Sequence, residues 1–233
     1  MGLLVFDDAQ RPAWSCTGAL LSPTVVLTAG HCTDGAVAAR IWMNEIVQGN
    51  TEFPFGGATS YEGAPFTYPG YCVVCGSGIG ILNWLEGDVG IVVLSEPVPT
   101  SAVSSFVQLP AAGLANTLAK NSPITLVGYG DQFRLVGGGP PNTAGFLVRL
   151  TTPATFISGQ FSNQEHLVRL SMTESFGRGG VCFGDSGGPN LVGSNHVTVA
   201  VNSYGTNGNC TGVGYSTRID LPAILTWIQS FLP

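Results

Sequence analysis

The stretch Gly184-Asp185-Ser186-Gly187-Gly188-Pro189 surrounds one serine with glycines, which leave space around the backbone and adopt unusual dihedral angles. A loop of this composition can present the Ser186 hydroxyl beside inward-pointing N–H groups of Gly184 and Ser186. Such donors stabilise the negative oxygen that develops when a hydroxyl attacks a carbonyl. The stretch predicts a nucleophilic serine beside an oxyanion hole. The competing interpretation is a glycine-rich turn with an incidental serine.

Chain order separates the folds that carry such a serine. The stretch also fits the G-x-S-x-G elbow of α/β-hydrolases, in which an acid and then a histidine follow the serine. After Ser186 the order is reversed, because His196 precedes Asp220. Upstream, His31 and Asp88 precede Ser186 in the order His, Asp, Ser. The order therefore disfavours an α/β-hydrolase such as a lipase or esterase.

The histidine and acid candidates are few. His31 follows a strand-like run and stands next to a cysteine that can brace its loop. His166 and His196 lie within alternating strand-like segments, where nothing else indicates a site. Asp88 is a lone carboxylate ahead of an apolar strand, and a buried charge needs a partner such as an imidazole N–H. We therefore expect His31 and Asp88 to act together with Ser186.

The composition indicates a β-rich core. Of the 233 residues, 44% are hydrophobic and only 9% are charged, which disfavours disorder. The 33 glycines and 15 prolines favour short strands over long helices. The net charge is −6 and Lys120 is the single lysine, so we expect neither nucleic acid nor a membrane as a partner. An all-β fold is predicted.

Strand-like runs recur along the chain between glycine- and proline-rich turns. The segment 97–121 is rich in Ala, Ser and Pro and is interpreted as a linker between an N-terminal unit, 1–113, and a C-terminal unit, 114–233. One C-terminal helix is predicted, with Asp220 as its cap and Pro222 in its first turn. The strand-like runs are 2–6, 17–28, 37–42, 89–94, 123–128, 145–151, 166–171 and 196–203.

The six cysteines favour extracellular disulfides, because their number is even and the chain is poor in lysine. Cys72 and Cys75 form a Cys-x-x-Cys pair without a second pair or a histidine at zinc spacing, and glycines rather than a helix follow them. We interpret this pair as a small disulfide loop. The acidic residues of 45–80 show no calcium-loop pattern, so we expect no metal and no cofactor.

Three short motifs in this order resemble those of the trypsin/chymotrypsin family of serine proteases, most closely its bacterial secreted members. Residues 28–32, Thr-Ala-Gly-His-Cys, resemble T-A-A-H-C, and residues 88–91, Asp-Val-Gly-Ile, resemble D-I-A-L. Residues 184–189 match G-D-S-G-G-P. Residues 128–130 resemble G-W-G, and residues 203–205 resemble S-W-G. The resemblance covers nearly the whole chain.

The resemblance implies two six-stranded antiparallel β-barrels with a C-terminal helix and a catalytic triad in the cleft between them. His31 and Asp88 would come from the first barrel and Ser186 from the second, with Gly184 and Ser186 forming the oxyanion hole. The implied disulfides are Cys16–Cys32, Cys182–Cys210 and Cys72–Cys75.

The resemblance also implies how substrate specificity is set. Gly180 would lie at the floor of the pocket for the side chain before the scissile bond, where glycine offers no charge for Lys or Arg. Asn202 stands where glutamate-specific relatives carry histidine. Either Val213 or Gly214 would form one wall, narrowing or widening the pocket. An uncharged side chain is the predicted preference, with further substrate contacts from Phe183, Ser203, Tyr204 and Gly205.

Two departures from the family pattern are expected to matter. Family members bury a freed I-V-G-G-type amine against the aspartate beside the nucleophile, here Asp185, and Met1 is a poor mimic of that amine. The activity of this chain is therefore expected to be weakened. Residues 45–80 are interpreted as an insertion that enlarges the first barrel.

The leading hypothesis is a secreted, monomeric endopeptidase that acts on protein or peptide substrates and that protein inhibitors can block. Residues 1–6 are apolar but lack the basic leader and cleavage site of a signal peptide, so any leader is expected to have been removed. The alternative is a non-catalytic homologue that binds proteins through the same cleft.

Overall fold

The first barrel is formed by six antiparallel strands of the computed structural model, which describes residues 1–73, 75, 85–135, 142–158, 166–172 and 177–233. These strands are β1 (Gly2–Asp7), β2 (Pro12–Leu20), β3 (Val25–Thr28), β4 (Ala38–Trp42), β5 (Ser60–Thr67) and β8 (Gly90–Leu94). Around the barrel their order is β1, β2, β3, β8, β5, β4. A one-turn helix, α1 (Gly30–Thr33), follows β3.

The second barrel also has six antiparallel strands: β9 (Pro123–Gly128), β12 (Leu150–Ser158), β13 (Leu167–Ser171), β14 (Pro189–Val192), β15 (Val197–Gly205) and β16 (Val213–Arg218). Around the barrel their order is β12, β13, β16, β15, β14, β9. Two small sheets pair β6 (Cys72–Val73) with β7 (Leu85–Glu86) and β10 (Phe133–Leu135) with β11 (Asn142–Ala144). The predicted all-β fold of two six-stranded barrels is confirmed.

Two sequence-based interpretations are corrected by the strand positions. The segment 45–80, interpreted as an insertion, contains β5, which pairs with β4 and β8 and completes the first barrel. Gly63 and Pro65 break the apolar alternation of β5, and a Cβ at Gly63 would lie 2.6 Å from the Val93 carbonyl oxygen. The predicted strand 145–151 is largely wrong, because β12 begins only at Leu150.

The histidines outside the candidate site lie at strand boundaries rather than within strands. His166 directly precedes β13, and His196 directly precedes β15 with a positive φ of 54°. Burial lowers the pKa of His166, while the charge of Glu86 opposes that shift. Neither histidine is among the residues that line the cavities beside His31.

The C-terminal helix α2 (Pro222–Gln229) is present with Pro222 in its first turn, but the predicted Asp220 cap is wrong. The N-cap is Leu221, and no side chain caps it. Asp220 instead accepts hydrogen bonds from the Arg218 guanidinium at 2.7 and 2.9 Å and from the Ala115 N–H at 2.7 Å. The Asp220 carboxylate thus binds the first turn of the 3₁₀-helix Leu114–Thr117. This helix lies within the predicted linker 97–121.

Apolar clusters shared by both barrels fix the cleft between them. In one cluster, Leu27 and Ile91 of the first barrel pack with Val201 of the second and with Ile224 and Ile228 of α2. In another, the first-barrel side chains of Leu3, Val5 and Trp42 pack against Tyr129, which follows β9. The division at residue 113 remains a prediction. No described helix is long and apolar enough to cross a membrane.

Candidate active site

His31 and Asp88 meet because two paired strands end at the same edge of the first barrel. Thr28, the last residue of β3, pairs with Gly90, the first residue of β8. His31 lies in α1 just after β3, and Asp88 lies just before β8. The His31 Nδ1 atom is 2.8 Å from Asp88 Oδ2, and the His31 backbone N–H donates to Asp88 Oδ1 at 2.7 Å. The aspartate therefore fixes both the main chain and the ring of the histidine.

The Asp88 carboxylate is fully buried, and every partner it has among the described residues favours its ionised form. Ser203 donates its hydroxyl to Asp88 Oδ2, the oxygen that faces His31. Burial raises the pKa of Asp88, but the His31 charge and these hydrogen bonds outweigh burial, so the pKa lies below its ordinary value. Burial alone would lower the pKa of His31. The Asp88 charge and its hydrogen bond together raise this pKa by more than burial lowers it, so it lies above its ordinary value. The pair is built to hold a proton on the ring.

Ser186 lies on the loop before β14, and two glycines allow the loop its shape. Gly184 has a φ of +96° and Gly187 a φ of +78°. A residue with a side chain would be strained at these backbone angles. A Cβ on Gly187 would lie 2.1 Å from the Thr28 hydroxyl oxygen, so the loop also approaches the first barrel too closely for any side chain. The absence of a side chain at Gly187 therefore allows the loop that carries Ser186 to lie against the first barrel.

Thr17 of β2 joins the serine loop to the first barrel. Its backbone N–H donates to the Ser186 carbonyl at 2.8 Å, and its hydroxyl donates to the Gly184 carbonyl at 2.9 Å. The same hydroxyl accepts the Tyr129 N–H at 3.1 Å. Thr17 is completely buried, so these bonds are shielded from water. Sequence reasoning missed this residue, because a threonine in a strand carries no pattern of its own.

The N–H groups predicted to form the oxyanion hole belong to peptide groups whose carbonyls are already bonded. The Phe183 carbonyl, on the same peptide as the Gly184 N–H, accepts the Asp131 N–H at 2.9 Å. The Asp185 carbonyl, on the same peptide as the Ser186 N–H, accepts the Gly188 N–H at 2.9 Å. Because a trans peptide points its C=O and N–H in opposite directions, both N–H groups are directed away from these partners.

Asp185 has backbone partners instead of a cation among the described residues. Its carboxylate accepts the Gly130 N–H and the Cys182 N–H, both at 2.8 Å. Burial raises the pKa of Asp185 to about 6, although both hydrogen bonds oppose that shift. Asp185 also lines a cavity of about 660 Å³ behind the loop, the rear cavity.

Two further cavities open onto His31 and Ser186. The catalytic cavity, of about 500 Å³, is lined by both residues and by four of the predicted substrate contacts, Phe183, Ser203, Tyr204 and Gly205. The Trp14 cavity, of about 600 Å³, is lined by His31 and Ser186 as well, and also by Trp14, Asp34 and Leu147. Since His31 and Ser186 line both cavities, they sit where the two meet.

The structure separates the predicted pocket floor from the catalytic cavity. Gly180 lines the rear cavity instead, and Val213 is among the lining residues of neither. Met172, completely buried, fills the space at these positions. A Cβ would lie 2.5 Å from Met172 Cβ if added at Gly180, and 2.9 Å from Met172 Sδ if added at Gly214. Met172 was not singled out from the sequence, because a lone methionine is usually an ordinary core residue.

Disulfides brace the loops on both sides of the cleft. The structure joins Cys16 to Cys32, Cys72 to Cys75 and Cys182 to Cys210, the pairs that the resemblance implies. Among the described residues, Cys16, His31 and Cys32 are the one group whose potential metal-binding atoms lie within 4.8 Å of one another. The Cys16–Cys32 disulfide uses both sulfurs, so His31 is left as a single potential ligand.

The two barrels, the histidine–aspartate pair and the serine across the cleft define a class of two-barrel proteins with a Ser, His and Asp constellation. The family model described as Trypsin matches residues 4–228. The chain therefore belongs to the trypsin family.

Curated relatives agree with this assignment. The chain is 26% identical over 216 residues to a trypsin of Sarcophaga bullata, covering 92% of this chain and 77% of that protein. It is 23% identical over 232 residues to a chymotrypsin of Phaedon cochleariae, covering 98% and 76%. It is 26% identical over 230 residues to chymotrypsin-like elastase family member 3B of Macaca mulatta, covering 92% and 81%. The bacterial part of the resemblance remains a prediction.

Solved structures share the fold. A structure titled HL collagenase superposes with a TM-score of 0.71 at 20% identity, covering 98% of this chain and 90% of that chain. Human heparin binding protein superposes with a TM-score of 0.65 at 19% identity, covering 99% and 90%.

Proposed function

We propose that this protein is a serine endopeptidase in which Ser186 is the nucleophile, His31 the general base and Asp88 the residue that orients the histidine. One observation carries the proposal: His31, whose Nδ1 lies 2.8 Å from the buried Asp88 carboxylate, lines the same cavity as Ser186. A buried pair of ionisable groups with shifted pKa values, next to a cleft, is typical of a catalytic site.

The chemistry follows from the positions of the groups. Ser186 Oγ forms a bond to the scissile carbonyl carbon while its proton passes to His31 Nε2. The Gly184 and Ser186 N–H groups stabilise the resulting oxyanion. The C–N bond then breaks as His31 returns the proton to the leaving amine, which leaves an acyl group on Ser186. Water, deprotonated by His31, attacks this ester and releases the acid, and Ser186 regains a proton.

The catalytic cavity favours an uncharged residue before the scissile bond. Apart from His31, its described lining contains no charged side chain, and Tyr204, Val181 and Leu85 contribute apolar surface. A buried Lys, Arg or Glu side chain would enter such a cavity without a counter-charge, at a cost of several kcal/mol. Neutral side chains therefore form the proposed substrate class, and Gly205 leaves room beside them.

A peptide library with every residue type before the scissile bond tests the proposal. We expect cleavage after neutral residues and no cleavage by Ser186→Ala at equal protein concentration. Ser105→Ala, which changes an exposed serine away from the cleft, is the matched control and should cleave like the wild type. A profile dominated by Lys or Arg would overturn the specificity, and an active Ser186→Ala would overturn the mechanism.

A phosphonate probe separates the enzyme from the alternative, a non-catalytic homologue that binds proteins through the same cleft. Labelling of the wild type but not of Ser186→Ala supports the enzyme, whereas an unlabelled wild type supports the alternative. One structural neighbour is named a heparin binding protein. The net charge of −6 in this chain opposes a polyanion as its ligand, so we do not extend that name to it.

Further parts of the proposal concern regulation and setting. Asp185 is assigned to activation, because its carboxylate lies beneath the oxyanion loop and faces the rear cavity, which has room for a cationic group. We also propose secretion, because three disulfides are typical of an oxidising compartment. The working form is a monomer that acts on protein or peptide substrates and is blocked by protein inhibitors.

A further inference from the structure

A buried polar cluster lies directly beneath the oxyanion loop. It consists of Asn190 on β14, Asn202 on β15 and Ser216 on β16, with exposures of 0%, 2% and 1%. Burying an amide or hydroxyl costs about 1–3 kcal/mol unless hydrogen bonds compensate. Three such groups on neighbouring barrel strands are therefore costly unless their hydrogen bonds are well arranged.

The hydrogen bonds of the cluster converge on Asn202 and leave its amide nitrogen to donate elsewhere. Asn202 Oδ1 accepts Asn190 Nδ2 at 2.6 Å and the Ser216 hydroxyl at 3.4 Å. Asn202 Nδ2 donates to the Asp185 carbonyl at 3.1 Å. A carbonyl can only accept, so the Asn202 atom that faces Asp185 has to be the nitrogen. The 2.6 Å bond from Asn190 thus holds the Asn202 amide with its donor toward the loop, whereas the Ser216 contact at 3.4 Å adds little.

The peptide that receives this donor carries one of the two oxyanion N–H groups. The Asp185 carbonyl and the Ser186 N–H belong to a single planar trans peptide, so they point to opposite sides. Holding the carbonyl from the barrel side therefore directs the Ser186 N–H toward the cleft. A hydrogen bond to the carbonyl also polarises the amide and strengthens its N–H as a donor.

We propose that Asn202 is a positioning residue that fixes the Ser186 N–H in the oxyanion hole; this inference rests on the proposed function. The main chain of Asn202 grips the same turn, because its N–H donates to the Gly188 carbonyl at 2.9 Å and its carbonyl accepts the Gly187 N–H at 2.8 Å. Asn202 thus adds a side-chain bond to a turn that its backbone already anchors.

The second donor is held differently, so the cluster acts on one side of the hole. The Asp185 carbonyl accepts the Gly188 N–H at 2.9 Å as well as the Asn202 amide, whereas the Phe183 carbonyl, on the peptide of the Gly184 N–H, accepts the Asp131 backbone N–H. Loss of the Asn202 amide should therefore weaken one donor and spare the other. Removing a whole oxyanion donor costs about 10²- to 10³-fold in kcat, and weakening one should cost on the order of tenfold.

Steady-state kinetics of Asn202→Val and Asn202→Asp test the inference against Ser216→Ala. Asn202→Val removes the donor, and Asn202→Asp keeps the shape but replaces the donor with an oxygen. Ser216→Ala removes a hydroxyl of the same cluster that does not touch Asp185. We expect both Asn202 variants to lose kcat by on the order of tenfold with KM nearly unchanged. Ser216→Ala should stay within about twofold of the wild type.

A peptide aldehyde provides a second readout, because the oxygen of its tetrahedral adduct occupies the hole. Its affinity should fall by the same factor as kcat in both Asn202 variants, while binding of the matching peptide alcohol, which forms no adduct, should not change. Unchanged kcat and aldehyde affinity, with a loss only in the free energy of unfolding, would overturn the inference and leave Asn202 a structural residue.

A spectroscopic readout keeps this test separate from the proposed function. In protein labelled with ¹⁵N-serine, the Ser186 amide resonance should move in Asn202→Val and Asn202→Asp and stay in place in Ser216→Ala. An unmoved resonance overturns the inference even if the wild type is active. A wild type that neither cleaves peptides nor takes the phosphonate overturns the proposed function, and the resonance still decides the position of the amide.

Discussion

Two aspartates flank the cleft, and their partners give them opposite character. Asp88, on the first-barrel side, bonds to the His31 ring, the His31 main chain and the Ser203 hydroxyl, and its pKa is held below the ordinary value. Asp185, on the second-barrel side, bonds to two backbone N–H groups, and its pKa is raised to about 6. At Asp185, the two backbone N–H groups do not offset the effect of burial on the pKa. At Asp88, the His31 ring and the Ser203 hydroxyl do offset it.

The contrast shows how the two sides of the site differ physically. The first barrel supplies a charged pair whose proton can move, so its electrostatics serve the reaction directly. The second barrel supplies backbone donors whose directions are fixed by neighbouring carbonyl bonds. Substitutions on the first side should therefore act through the charge and the proton of the pair, and substitutions on the second side through the number and direction of the N–H donors.

The largest expected effect follows from removing the charge on the first-barrel side. In Asp88→Asn an amide replaces the carboxylate, so the correct His31 tautomer and the stabilisation of the protonated ring are both lost. We expect kcat for a neutral peptide substrate to fall by about 10⁴-fold. Asp8→Asn, at a surface turn, should stay within about twofold of the wild type. An Asp88→Asn enzyme that keeps a tenth of the wild-type kcat would break the contrast.

The same variant should change the pH dependence. A general base has to be unprotonated, so kcat/KM of the wild type should rise with pH until it levels above the ordinary His value of 6.5, because Asp88 raises the pKa of His31. In Asp88→Asn only burial remains, and burial lowers that pKa. The residual activity should therefore level at a lower pH than in the wild type. Equal profiles would show that Asp88 does not set the His31 pKa.

A smaller effect, on the free energy of unfolding, is expected from the titration of Asp185. Its folded-state pKa of about 6 exceeds the ordinary value of 3.8, so between these values the folded protein binds more protons than the unfolded chain. The free energy of unfolding should fall as pH rises from about 4 to about 6, by about 1–3 kcal/mol after allowance for water in the rear cavity.

Urea denaturation at several pH values measures this contribution. In Asp185→Asn the fall between pH 4 and 6 should be absent, since no proton is exchanged at that position. Asp8→Asn should retain it, because the Asp8 carboxyl lies at the surface and its pKa is lowered rather than raised. A stability of Asp185→Asn that falls with pH as steeply as that of the wild type would show that Asp185 is not the group responsible.

The sequence was most informative where several residues had to be adjacent in the chain. The segments around His31, Asp88 and Ser186 carry their neighbours with them, because a tight loop or a strand end needs particular residues on both sides. The two-barrel fold was predicted through the same motifs, and the strands confirm it.

Features made by residues distant in the chain were not predictable in the same way. Thr17, Asn202 and Met172 act through partners that the barrel brings near, and no pattern in their own segments indicates these contacts. Asp220 was placed at the wrong helix for the same reason, since its partner Ala115 is 105 residues away. The strand β5 was missed because Gly63 and Pro65 interrupt its pattern.

Trapping the acyl-enzyme tests the central claim most directly. The protein is mixed with a peptide ester that carries a neutral residue before the scissile bond, quenched in acid within seconds, digested and analysed by mass spectrometry. The account predicts one acyl group, located on Ser186 and absent from Ser186→Ala. Hydrolysis without any acylated intermediate, or an acyl group on another residue that persists in Ser186→Ala, would contradict it.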